Sequence, residues 1–519
     1  MALRTLLLLG LAFAGTACAE GFDFEALRTL IEARQVRSVE ALLPLLPAGL
    51  RYRYALVFAS RSLQGASYAS PRVVLYGTDA RLVLTFNGAP GQRGFGSIET
   101  LEFDEAARAF RLREIGFPAD AAGAVTVSQV DPPRCTRCHG SPARPVWDTH
   151  PAWPGAYGER YGAALSPAER AGIDAFLAAQ PAHPRYRHLL GAERFADPDT
   201  FRPDARSRYG GSPAEPPNAE LSGLFGTLAA RATVRELAAR EGFAAYRYAL
   251  LGASDLACGR LDDFFPAASA RPVAAALRDF EAVTAAANAR EREFKALRLG
   301  TGTPPSRPAD DAALTPLRFL AESALGLRSR GWTLALEKGS YDFTLPPAAA
   351  GAMRRALLEE IAPAEPALAE LAAYSTPADG DRYCNFLRRR SRAALAGRAP
   401  PGPPLPEAAP PGLVAADRPA ALGLCIACHQ SDVAPPIAFA DEAELARALR
   451  GEAPGAGPGL AVLLFRLSPQ AGARRMPLGI NLPEPEREAL AAYFRSLAAP
   501  AQASEAAGSH RSGGAHASR

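Results

Sequence analysis

Two five-residue stretches constrain this chain more than any other feature: Cys135-Thr136-Arg137-Cys138-His139 and Cys425-Ile426-Ala427-Cys428-His429. Each sets two thiols three positions apart and follows them at once with an imidazole. The 519 residues hold only 7 Cys and 7 His. Chance therefore produces one such match with odds on the order of a thousandth, and two far less often.

Cys-x-x-Cys-His is the attachment motif of c-type haem. The thiols of Cys135 and Cys138, and of Cys425 and Cys428, form thioethers with the porphyrin vinyl groups, and His139 and His429 are the proximal iron ligands. Two intervening residues bring both sulfurs to one edge of a flat macrocycle while the chain turns to aim the imidazole at its centre. A redox dithiol does not require the following histidine. Zinc would need four Cys or His ligands to converge, which the two pairs supply in number, but a histidine after each pair in an exported chain favours two covalently attached haem c groups.

Export is read from residues 1–19. Arg4 precedes an apolar run from Leu6 to Phe13, and Ala17-Cys18-Ala19 fits a signal-peptide cleavage site. The rival reading keeps Cys18 as a lipidated first residue. No later apolar run approaches the ~20 residues that span a bilayer. The expected address is periplasmic or otherwise exported. In an oxidising compartment, the two cysteines left over from the motifs, Cys258 and Cys384, are expected to pair, the alternative being two buried thiols.

Charge excludes one partner class. Lys and Arg total 58 against 54 Asp and Glu, a net charge of +4, and no basic segment is interleaved with aromatic residues, so no nucleic-acid partner is expected. Arg388, Arg389, Arg390 and Arg392 read as a solvated helix face.

The fold class expected is mixed α+β. Short, often alternating segments separated by Gly, Asn, Asp or Pro predict an antiparallel meander from Arg51 to Val130, within an N-terminal haem domain over 20–215. A helical middle domain follows over 216–397, where Leu221, Leu224, Phe225, Leu228 and Leu237 share a face, as do Val273, Leu277, Phe280, Ala287 and Phe294. Residues 398–412 form a proline-rich linker, and residues 501–519 read as a disordered tail. Ser166, Pro167 and Glu169 mark a helix start by a capping-box pattern.

From Leu413 to Ala498, a motif-bearing helical stretch, a helix over Asp441–Arg450 and an amphipathic helix over Glu484–Leu497 precede or flank Met476-Pro477. This segment, over a domain of 413–500, resembles a class I cytochrome c domain, and the chain resembles a dihaem c-type cytochrome. The resemblance implies an all-α domain in which the thioether of Met476 completes the second iron's coordination. The N-terminal haem domain matches no named family, since small cytochromes are helical and it carries strands. His183 and His150 are candidate sixth ligands of the first iron, with His188 behind them, or that iron is open. Trp147, Pro151, Trp153 and Pro154 read as an aromatic wall around it.

Three function classes stay open. An electron carrier would pass electrons between redox protein partners, from the first haem to the Met-ligated second one, and no residue would be catalytic. An enzyme resembling the dihaem peroxidases would use the first haem as its reactive site. A third reading is an accessory or sensor subunit.

Overall fold

Alternating apolar residues in the Arg51–Val130 region fold as the meander they predict. β1 (Tyr54–Val57), β2 (Arg72–Leu75), β3 (Leu82–Phe86), β4 (Ser97–Asp104), β5 (Ala109–Gly116) and β6 (Thr126–Val127) form one sheet in sequence order, each neighbouring pair antiparallel. The computed structural model describes chiefly residues 21–201, 217–282, 314–327, 347–402 and 418–499. Register places Leu101 opposite Leu112 and Phe103 opposite Phe110, whose rings meet edge-on at 5.1 Å.

Strand parity sorts the side chains onto two buried faces. Ala55, Val57, Val74, Val83, Leu101, Phe103, Phe110 and Leu112 enter one core. Tyr54, Leu56, Val73, Leu75, Leu82, Leu84, Phe86, Ile98 and Ile115 enter a second.

The second core is closed by two segments from opposite sides of the sheet in sequence. Helix α1 (Phe24–Ala33) starts where the Asp23 carboxylate accepts from the Ala26 N–H at 2.8 Å and buries Phe24, Leu27 and Ile31. After the sheet, Ser166 and Glu169 form the expected reciprocal capping box at the start of α3 (Pro167–Ala179); the intervening helix α2 carries the first Cys-x-x-Cys-His and is described below. Arg185, only 1% exposed, donates to Glu40 at 2.6 Å and to the carbonyls of Asn87 and Phe95 at 2.7 and 2.8 Å. A guanidinium can be buried there because an opposite charge and two carbonyls replace its water.

The first core is closed by helices. α4 (Pro217–Ala238) buries Leu221, Phe225, Leu228 and Leu237 as predicted and leaves Leu224 half-buried. Glu220 on this helix accepts from the Tyr76 hydroxyl at 2.7 Å and pairs with Arg53, while Arg231 donates twice to Glu105 at 2.7 and 2.8 Å. Residues before and after position 215 thus share one core. Val273 and Phe280 are buried, and Ala287 and Phe294 lie outside the described residues. α5 (Phe243–Ala253), α6 (Pro347–Ile361) and α7 (Pro377–Ala394) complete the layer. A disulfide joins Cys258, just past α5, to Cys384 within α7, with Cα atoms 5.1 Å apart.

The described residues fall into two compact units, one drawn from 1–285 and 306–407, the other from 408–519. The second unit is helical, with α8 (Leu422–His429), α9 (Glu442–Leu449), α10 (Leu460–Leu467) and α11 (Glu484–Ala498). Leu490 and Phe494 on α11 are at most 1% exposed and pack with Leu422, Ile426, Leu445 and Leu463. Each such side chain stabilises the unit by about 1.5–3 kcal/mol. Among the described residues, no helix is long and apolar enough to cross a membrane.

Candidate haem-attachment sites

The first Cys-x-x-Cys-His is held against the sheet by its leading residue. Asp131 adopts φ +51°, donates its N–H to the Leu112 carbonyl and accepts the Leu112 N–H on Oδ1, both at 2.8 Å. Asp tolerates this left-handed conformation because its short polar side chain bonds locally. The chain then enters α2 (Pro133–His139) with its first turn fixed to β5, and Arg134 on that turn pairs with Glu114 of β5.

Helix α2 sets Cys135 and His139 four residues apart, on one face. Cys135 is half-buried and packs with the first core, as does Trp147. The His139 ring lies with Nδ1 2.6 Å from the Arg144 carbonyl, and the Arg144 N–H donates back to the His139 carbonyl at 2.8 Å. With Nδ1–H as donor, Nε2 keeps its lone pair. Burial pushes the imidazole pKa below its ordinary value, against the opposing pull of the Arg144 carbonyl, and the Arg72 charge lowers it further. A neutral imidazole with its outward nitrogen unprotonated is the form that binds iron, and a cysteine on the same helical face fits thioether attachment. Cys138 lies on the same helix, but its side chain is outside the described residues.

Helix α4 supports this loop from behind. The Arg144 side chain, 7% exposed, pairs with Glu236, and the Trp147 indole N–H donates to the Asn218 carbonyl at 3.1 Å. Asn218, buried at the start of α4, donates its amide to the Gly158 carbonyl at 3.1 Å. Arg144 and Asn218 escaped the sequence reading, since each acts through partners some 60 to 92 residues away.

A polar row also crosses the sheet on the side that α2 occupies. Arg72, Thr85, Glu99 and Glu114 share the strand parity of Val74, Val83, Leu101 and Leu112. Arg72 donates to Glu99 at 2.7 Å and to the Thr85 hydroxyl at 2.9 Å. Burial pushes the Glu99 carboxyl above its ordinary range, with Arg72 opposing the shift and Glu114 adding to it. The available signal was four polar residues at inward positions of otherwise apolar strands.

The histidines proposed as sixth ligand separate. His183 stacks on Tyr186 with ring centroids 3.9 Å apart, and its Nδ1 accepts the N–H groups of Arg185 and Tyr186, both at 3.1 Å. Tyr186 belongs to the second core, across the sheet from Cys135. His188 lies one short turn later, with its ring 3.2 Å from the Arg187 Nε. The structure does not bring either to His139. His150, Pro151, Trp153 and Pro154 lie outside the described residues.

In the second unit, α8 carries the other motif. Cys425 is half-buried against the core of α8, α9, α10 and α11, and the side chains of Cys428 and His429 are outside the described residues. Met476 follows the short turn Pro469–Arg474; it is half-buried, and its N–H donates to the Arg466 carbonyl at 2.7 Å, which ties it to the end of α10. Cys18 lies outside the described residues.

Comparison with family models, with curated proteins and with solved structures found no match.

Proposed function

We propose that this chain is an exported dihaem c-type cytochrome that carries electrons between redox protein partners, from the haem at Cys135, Cys138 and His139 to a Met476-ligated haem at Cys425, Cys428 and His429. The observation that carries the reading is the hydrogen bond from His139 Nδ1 to the Arg144 carbonyl, 2.6 Å long, beside a cysteine on the same helix. That bond selects the tautomer a proximal ligand requires, and a solvated histidine has no need of it.

Bound haem supplies the reversible ferric–ferrous couple. The chain's residues set the conditions for it. Cys135 tethers the group, His139 is kept neutral by burial, and the Arg144–Glu236 pair holds the carbonyl that orients the ring. Trp147, fixed through its indole N–H, adds apolar cover. Unlike axial ligands at the two irons would give them different potentials, since Met ligation raises the potential relative to a second histidine.

A dihaem peroxidase-like enzyme is the second reading, favoured by one observation: His183 stacks on Tyr186 of the second core, across the sheet from Cys135, and His188 lies between Tyr186 and Leu189 of that same core, so neither is at hand to close the first iron. The optical and EPR spectra of the ferric protein, with and without CO or peroxide, separate the readings. Two low-spin, unreactive haems support the carrier, with His150 as the remaining histidine candidate. One high-spin, peroxide-reactive haem supports the enzyme. No covalent haem defeats both.

A further inference from the structure

The arginine cluster of α7 has a second aspect that its sequence pattern hides. Arg388, Arg389 and Arg392 line an open cleft of about 400 Å³, together with Asn385 and with Asp263. The Cys258–Cys384 disulfide ties the segment that leads to Asp263 to this helix.

Two of the guanidiniums are oriented without being neutralised. Arg388 donates to the Cys258 carbonyl at 2.6 Å and to the Asn385 side-chain oxygen at 3.0 Å, and Arg392 donates to the Asp263 backbone carbonyl at 2.9 Å. These acceptors fix direction but carry no formal charge. Among the described residues, no carboxylate lies within 4.0 Å of a guanidinium nitrogen of Arg388, Arg389 or Arg392, whereas the neighbouring Arg390 pairs with Glu365 at 2.6 Å. Arg388 Nε is buried with no hydrogen-bond partner, which leaves this cation further under-compensated. Three like charges on consecutive turns repel one another, and an anion among them relieves that repulsion.

A glycine stands beside two of the lining residues, Arg388 and Asp263. Gly259 has φ +79°, and a Cβ there would stand 3.3 Å from Arg388 Nη2 and 3.5 Å from Asp263 Oδ2. The bare glycine leaves space between a donor and a carboxylate. A lone carboxylate beside three cations would repel a fully ionised anion but accept a hydrogen bond from one that retains a proton.

We propose that this cleft binds a phosphate group, free or as a phosphate monoester, with Arg388, Arg389 and Arg392 holding its oxygens and Asp263 accepting its P–OH hydrogen. Planar guanidinium forks suit tetrahedral oxyanions. Inorganic phosphate retains a proton near neutral pH and a monoester does so at about pH 6, near its second pKa, whereas sulfate has none to offer Asp263.

Calorimetric titration of the full chain at about pH 6 and fixed ionic strength tests the assignment, using inorganic phosphate, glycerol 3-phosphate and sulfate as probes. Saturable binding of phosphate, weakened about tenfold in Arg389→Gln and in Arg392→Gln, is the expected result. Arg389 is exposed and makes none of the anchoring contacts given above, so its variant tests charge without disturbing the fold; unchanged thermal midpoints check this. Asp263→Asn should narrow the gap between phosphate and sulfate. Saturable binding of glycerol 3-phosphate alone supports the site and identifies the monoester as its source. No saturable binding of either phosphate probe, binding that Arg389→Gln and Arg392→Gln leave unchanged, or equal affinity for sulfate in the native chain would overturn it. None of these readouts depends on haem.

Discussion

Breaking the bond between Cys258 and Cys384 should destabilise the first unit by an amount that the topology sets. The two positions are 126 residues apart, and both sulfurs are buried, with Cys258 0% and Cys384 2% exposed. In the chain-entropy account, closing a loop of this length removes about 5 kcal/mol of unfolded-state freedom at 25 °C. Replacing both residues by Ala adds about 1 kcal/mol each for the lost sulfur contacts. Reduction of the native sequence isolates the first contribution, because the sulfurs remain. With a urea dependence of about 3 kcal/mol per molar, reduction should lower the unfolding midpoint by about 1.7 M. Far-UV circular dichroism in urea, with and without a phosphine reductant, measures this, and the Cys258→Ala/Cys384→Ala double variant should no longer respond to the reductant. Any response from the two Cys-x-x-Cys pairs is separated from that of the staple by the same double variant, which keeps those pairs and lacks Cys258 and Cys384. A reduced native chain whose midpoint stays within about 0.3 M of the oxidised one would refute the reasoning.

The remaining expectations concern the cofactor and the sheet-to-helix contacts. Haem should stay with the chain through acid-acetone extraction at two per molecule, counted by pyridine haemochrome absorbance; extraction of all haem would end the cytochrome reading. Met476→His should keep the second haem low-spin but lower its potential in a spectroelectrochemical titration, since imidazole favours ferric iron more than a thioether does; an unchanged potential would place the sixth ligand elsewhere. Glu105→Gln should cost about 1 kcal/mol at pH 7, because the paired hydrogen bonds from Arg231 hold the Glu105 carboxyl below its ordinary range and about a third of that side chain is exposed. A depressed folded-state pKa contributes stability above the unfolded value of about 4.5 and loses it as pH falls through the folded value. Urea midpoints of the two proteins should therefore differ at pH 7 and converge as pH falls through the folded Glu105 value; a difference that does not shrink on acidification would remove the charge from the explanation.

How much of this molecule is legible in its sequence depends on the distance over which each feature is decided. The strands Leu82–Phe86 and Ser97–Asp104, the capping box at Ser166 and the buried stripe of α11 come from local rules: side-chain period, turn residues and the satisfaction of helix-end N–H groups. The two Cys-x-x-Cys-His motifs are local too, so the positions expected to anchor haem needed no tertiary information.

Periodicity reports that a face is buried but not what buries it. That α4 covers the Val74–Leu101–Leu112 side of the sheet, and that α1 and α3 cover the other, follows only from packing elements that are distant in sequence, over a hundred residues in the case of Val74 and α4. The same limit hid the Arg144 carbonyl that fixes His139, and it left His183 equal with His150 as a candidate although the sheet stands between His183 and Cys135. It also made three arginines read as a solvated face, because the residue that lines the cleft opposite them, Asp263, lies over a hundred positions upstream. Sequence by itself determined which segments are strands and helices and where haem attachment is expected; the tertiary structure alone decided which charges are neutralised, because pairing depends on distances in space that local residue order does not encode.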